Sequence, residues 1–115
     1  MKEFIKQLFN RRADEVEIEP IDYKNAIRKA VTVSGRVQGV GFRFFTQSEA
    51  AKLRLTGWVK HLNNGDVTME VQGAAEDVNE LIERLKRGNG YSKVTDIEIK
   101  DLDVDKEERK FAITY

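Results

Sequence analysis

Three glycines within seven residues, Gly35, Gly39 and Gly41, separate a β-branched run from a helix-like pattern and constrain this chain more than any other feature. At such a junction glycine permits tight or positive-φ turns and lets backbone N–H groups approach a ligand. Successive N–H groups facing one way form an anion-binding concavity, and a helix start behind them adds partial positive charge. Arg43 follows at the exit, with a planar fork of donors suited to phosphate or carboxylate. The segment reads as a strand, an oxyanion-binding loop and a helix with an arginine at its start.

The periodicity on either side supplies the rest of the fold. Residues 26–34 contain Ala30-Val31-Thr32-Val33, a strong strand signal, and lead into the glycines. Residues 42–55 place Phe42, Phe45, Ala50, Leu53 and Leu55 broadly at helical spacing, with Thr56-Gly57 ending the helix. Phe42, Phe44 and Phe45 are expected in the core and the wall of the loop. Residues 58–62 read as a second strand, and Asn63-Asn64-Gly65-Asp66 as a hairpin turn, because Asn and Gly tolerate positive φ. Val67, Met69 and Val71 then alternate with polar residues in a third strand closed by Gly73. The clearest helix covers 75–86, where Val78, Leu81, Ile82 and Leu85 form an apolar stripe, and Gly88, Asn89 and Gly90 stop it. A fourth strand at 94–102, a charged connector at 103–110 and a short fifth strand at 111–115 complete the chain. The order β-α-β-β-α-β plus a fifth strand predicts an α+β, ferredoxin-like sandwich with two helices on one face of a mainly antiparallel sheet. Many functions share that architecture, so fold alone decides nothing.

Composition excludes several chemistries. The 115 residues suit one domain with an ordinary core. There is no cysteine, which removes disulfides, thiolate metal sites and cysteine nucleophiles, and one histidine, His61, cannot build a multi-histidine metal site. Twenty basic residues balance twenty acidic ones, so no global field favours nucleic acid or membrane. No apolar run approaches the roughly 20 residues that span a bilayer, and Lys2, Glu3, Lys6 and Gln7 interrupt any signal-like stretch. A cytoplasmic monomer is expected. Residues 1–12 place Phe4, Ile5, Leu8 and Phe9 on one side of a short helix, and the acidic stretch 14–19 reads as a linker or edge segment. The expected division is an extension over 1–27 and a domain over 28–115.

With Gly35-Arg36-Val37-Gln38-Gly39-Val40-Gly41-Phe42-Arg43 in place, the chain resembles the acylphosphatase family, metal-free enzymes that hydrolyse carboxyl–phosphate mixed anhydrides. A second block follows in register: Leu55, Gly57-Trp58-Val59-Lys60, then Asn64-Gly65-Asp66-Val67. Gly73, Gly88, Ser92-Lys93-Val94 and the ending Phe111-Ala112-Ile113-Thr114-Tyr115 also fit, so the resemblance spans about 28–115. It implies a phosphoryl group held by the backbone amides of Gln38, Gly39, Val40, Gly41 and Phe42 and by the Arg43 guanidinium. It also implies no metal and no cofactor, with a small acyl phosphate or phosphate anion as the partner.

The resemblance breaks at one position. The family's water-positioning asparagine follows Gly-Trp-Val-Lys/Arg, and here that position is His61. Asparagine offers an acceptor and a donor on one short arm, whereas neutral imidazole carries one of each on separate nitrogens. Such a ring is able to orient a water, to fill the water's space, or to protonate and pair with bound phosphate. A working hydrolase with His61 as water-orienter, a weakened one, and an anion- or partner-binding module all remain open. An RNA-binding reading is disfavoured, because the strands lack paired exposed aromatics.

Overall fold

The computed structural model describes residues 15–17 and 24–115. The helix expected at 1–12 and the rest of the acidic linker lie outside the described residues. The elements are β1 (Glu15–Glu17), β2 (Ala26–Arg36), α1 (Phe42–Lys52), β3 (Thr56–His61), β4 (Val67–Ala74), α2 (Ala75–Arg87), β5 (Lys93–Leu102) and β6 (Lys110–Ile113). They form one sheet in the order β1-β6-β3-β4-β2-β5. Every neighbouring pair is antiparallel except β3 with β6. The ferredoxin-like β-α-β-β-α-β order with a further C-terminal strand is therefore present, and β1 adds an edge strand beside β6.

Side-chain alternation builds the core on one face. Val31 and Val33 of β2, Val59 of β3, Val67, Met69 and Val71 of β4, and Phe111 and Ile113 of β6 are all buried. The α2 stripe of Val78, Leu81, Ile82 and Leu85 joins the same cluster, as do Phe42 and Ala50 of α1. Each such side chain contributes about 1.5–3 kcal/mol of burial, so this face carries most of the stability. Phe45 packs at the edge of the core, but Phe44 departs from expectation and is 58% exposed. Among the described residues no helix is long and apolar enough to cross a membrane.

Two boundaries differ from those suggested by local pattern. Helix α1 stops at Lys52, because Arg54 takes a left-handed φ of 57°. The Arg54 amide then donates to the Ala51 carbonyl (3.1 Å) and the Leu55 amide to the Ala50 carbonyl (2.9 Å). This is a Schellman closure, made without the glycine that usually signals it. It also turns Leu55 into the core, where it is fully buried.

Thr56-Gly57, expected to follow the helix as a terminator, instead opens β3. Gly57 has φ 146°, and a Cβ there would lie 1.9 Å from the Glu70 carbonyl oxygen of the neighbouring strand. Only glycine lets β3 and β4 come together at that point. Gly57→Ala is expected to cost at least about 3 kcal/mol through backbone strain and displacement of β4. Urea unfolding of the variant checks this; a loss below about 1 kcal/mol would contradict it.

The opposite face of the sheet is partly covered by the charged connector between β5 and β6. Arg28 is only 6% exposed, and its guanidinium reaches both Glu108 carboxylate oxygens (2.8 and 3.1 Å) and Glu70 Oε1 (2.9 Å). Gln72 donates to the Asp105 carbonyl (2.9 Å) and accepts from the Asp105 amide (2.7 Å). The connector is thus pinned to β2 and β4 by side chains that alternate away from the core.

Candidate active site

The glycine loop joins β2 to α1. Gly39 and Gly41 have φ of 69° and 72°, and a Cβ at either would meet nothing within 4 Å. The glycines therefore serve backbone shape rather than space. Left-handed residues on both sides of Val40 turn successive peptide groups toward a common concavity, an arrangement that favours anions. Among the described residues, the amides of Gln38, Gly39, Val40 and Gly41 donate no hydrogen bond to the protein. Gly41 is the N-cap of α1 and provides no side-chain cap, and the first turn contains no acidic residue. The first-turn amides of α1 are left open to an anion, and the helix dipole favours one there.

The walls of the loop come from distant parts of the chain. Gln38 Nε2 donates to the Leu62 carbonyl (2.8 Å) and the Asp66 carbonyl (3.4 Å), tying the loop to the β3–β4 hairpin. On the other side, Asn89 Nδ2 donates to the Val40 carbonyl (2.7 Å). Asn89 stands just beyond the C-terminus of α2.

Arg43 is held at the exit by the chain's last two residues. Its Nη1 donates to the Thr114 carbonyl (3.3 Å), and its guanidinium lies 4.8 Å from the centre of the Tyr115 ring. Thr114 is anchored in turn, its amide donating to the Val59 carbonyl of β3 (2.8 Å). This cation–π contact with Tyr115 leaves the remaining guanidinium donors for a ligand.

His61 is the last residue of β3 and pairs across the hairpin with Val67. Two residues after core-facing Val59, it shares the α1 side of the sheet. Its imidazole is held below the ordinary histidine pKa, first by burial and then by the positive charge of Arg43. Arg43 and His61 thus sit within each other's field, and both effects favour the neutral ring. Among the described residues, no three or more His, Cys, Asp or Glu side chains converge as a metal site.

Of the residues expected from sequence, Gln38, Gly39, Val40, Gly41 and Phe42 form the loop and helix start, with Arg43 and His61 beside it. Phe42 contributes through its backbone, since its ring is buried in the core. Trp58 lies on the opposite sheet face, lining a cleft of about 500 Å³ with Glu107, Glu108, Arg109 and Lys110, away from the loop. Sequence reasoning missed the Gln38 side chain, Asn89, Thr114 and Tyr115 as parts of the site. The terminal Phe-x-Ile-x-Tyr pattern registered as a strand, but β6 ends at Ile113 and the two residues after it turn to Arg43.

A glycine loop leading into a helix N-terminus on a ferredoxin-like sandwich, with an arginine at the helix start, defines a class of small α+β domains whose loop geometry favours an anion. Comparison with known proteins narrows this. A model of the acylphosphatase family matches residues 29–113. An acylphosphatase of Clostridium beijerinckii is 52% identical over 89 residues, 77% of this chain and 99% of that protein. The crystal structure of acylphosphatase from Bacillus subtilis superposes with a TM-score of 0.74 at 39% identity, covering 77% of this chain and 99% of the other. A solved structure of an acylphosphatase from Coxiella burnetii gives 0.72 at 36% identity, covering 79% of this chain and 95% of the other. The chain belongs to the acylphosphatase family.

Proposed function

We propose that this chain hydrolyses the carboxyl–phosphate bond of small acyl phosphates, releasing a carboxylate and phosphate. The hydrolase unit is residues 28–115, to which 1–27 is an appended extension that adds β1. The observation that carries the reading is the meeting of three groups: open loop amides, Arg43 over the Tyr115 ring and a His61 whose neutral form is favoured.

The loop amides from Gln38 to Phe42 and the Arg43 fork hold the equatorial phosphoryl oxygens. Charge on those oxygens is spread in the transition state, so fixed donors there lower the barrier electrostatically. A ring nitrogen of His61 accepts a hydrogen bond from the attacking water and aims it in line with the departing carboxylate. As the new P–O bond forms and the acyl C–O–P bridge breaks at phosphorus, both bridge electrons leave with the carboxylate. Both protons of the water end on the phosphate, released as dihydrogen phosphate that then equilibrates with solvent. The leaving group is a weak base, so no strong general acid is required.

The decisive experiment is release of phosphate from benzoyl phosphate and acetyl phosphate by the native chain and by His61→Asn across pH 5–8. The native chain is expected to turn over, and His61→Asn to retain or raise the rate. The native kcat/KM should fall on the acid side with a midpoint below about 6.5, because burial and Arg43 both oppose the imidazolium. His61→Asn should lack that limb, the comparison cancelling the substrate's own titration. A native chain that binds phosphate without turnover would sink the hydrolase in favour of an anion-binding module.

A further inference from the structure

We infer that Asn89 is a positioning residue for the phosphoryl site, fixing the orientation of the Val40–Gly41 peptide so that the Gly41 N–H faces the loop's concavity. This rests on the acyl phosphate reading of the loop.

The Asn89 side chain is committed at both ends. Its Oδ1 accepts from the amides of Tyr91 (3.0 Å) and Ser92 (2.9 Å), and its Nδ2 donates to the Val40 carbonyl (2.7 Å). The two accepted amides fix which end of the carboxamide is oxygen, so its donor end must face the loop. The Asn89 amide itself donates to Ser92 Oγ (3.2 Å), which further holds the turn.

A trans peptide is planar, and its C=O and N–H point in opposite directions. With the Val40 carbonyl drawn toward Asn89, the Gly41 N–H is directed away from Asn89. Gly41 has no Cβ and a φ of 72°, so the peptide before it rotates with little steric resistance. A rotated peptide would present the Val40 carbonyl to the phosphoryl oxygens, replacing a donor with a repelling acceptor. The Asn89 bond selects between these two orientations from a part of the chain 49 residues away.

Asn89→Asp and Asn89→Ser test this together. Both keep an oxygen able to accept from the turn amides, and neither donates to the Val40 carbonyl as the carboxamide does. Only Asp adds charge. In both variants the Ki for inorganic phosphate is expected to rise about tenfold, the loss of one backbone donor. The kcat/KM for benzoyl phosphate should fall on the order of 100-fold. The Gly41 amide resonance, expected to shift downfield when the native chain is titrated with phosphate, should barely move in either variant. The melting temperature should remain within a few degrees of native.

Native-like phosphate affinity in either variant overturns the inference, and weakening in Asp alone assigns the effect to charge and does the same. Retained kcat/KM with a native Gly41 response assigns Asn89 to the turn alone. A native chain that binds no phosphate overturns the acyl phosphate reading itself, a result distinct from variants that match a phosphate-binding native chain.

Discussion

Arg43→Ala is expected to lower kcat/KM for benzoyl phosphate about 1000-fold while leaving the fold intact. The estimate follows from what the side chain supplies. An arginine on a transferring phosphoryl group is worth on the order of 10³-fold or more, because it meets charge that spreads in the transition state. That corresponds to about 4 kcal/mol of barrier. Arg43 is partly preorganised before substrate arrives, since the Thr114 carbonyl takes one donor and the Tyr115 ring lies 4.8 Å from the guanidinium carbon. Little ordering entropy remains to be lost on binding, which favours the upper part of the range. Arg43→Lys should recover only a minor part of the activity, because an ammonium presents no planar fork of donors. Phosphate release at saturating and limiting substrate, with far-UV circular dichroism as the fold control, checks both variants. An alanine variant within tenfold of native would remove Arg43 from the chemistry.

The parts of this molecule legible in sequence are those governed by neighbours along the chain. The stripe Val78, Leu81, Ile82 and Leu85 is buried as its spacing predicts, and the alternation of Val67, Met69 and Val71 places all three in the core. The glycine loop was legible for the same reason, since Gly39 and Gly41 require positive φ within three residues. Boundaries set by unusual backbone were not legible. Arg54 adopts the left-handed conformation normally left to glycine, while Gly57, which resembles a helix stop, is needed for contact between strands. The parallel pairing of β3 with β6 leaves no trace in local periodicity.

In the candidate site, sequence revealed the groups proposed to touch the anion but not those that hold them. Gln38 reaches across 24 residues, Asn89 across 49 and Arg43 across 71. A side chain whose partner is a backbone carbonyl far along the chain has no signature in spacing, because any residue supplies that carbonyl. His61 is the intermediate case. Its position in the second family block identified it, but the lowering of its pKa comes from burial and from the charge of Arg43, which only the fold brings near.

A large loss of stability is also expected from Arg28→Met, a change far from the chemistry. From its length and charge Arg28 would be placed in solvent, yet it is 6% exposed and ligated by two carboxylates. Glu108 is itself only 13% exposed, and Arg28 also donates to Gln72 Oε1 (3.2 Å), the side chain that clasps the Asp105 backbone. Methionine preserves the length of the stem but removes the cation that Glu108 and Glu70 share. Breaking a buried pair from one side costs about 3–5 kcal/mol, well above the value of an exposed ion pair. For a domain of this size that lowers the melting temperature by roughly 10–20 °C. Arg28 lies eight residues before the end of β2, about 26 Å of extended strand from the glycine loop, so kcat/KM at low temperature should stay within about twofold of native. Adding Glu108→Gln to Arg28→Met should restore part of the loss, because the lost charge pairing rather than the missing contact dominates. Denaturant melts of the two single variants and the double variant measure that coupling. A single-variant loss below about 1 kcal/mol, or a double variant worse than the sum of the singles, would mean that solvent already screens the network and that the connector is held to the sheet by other contacts.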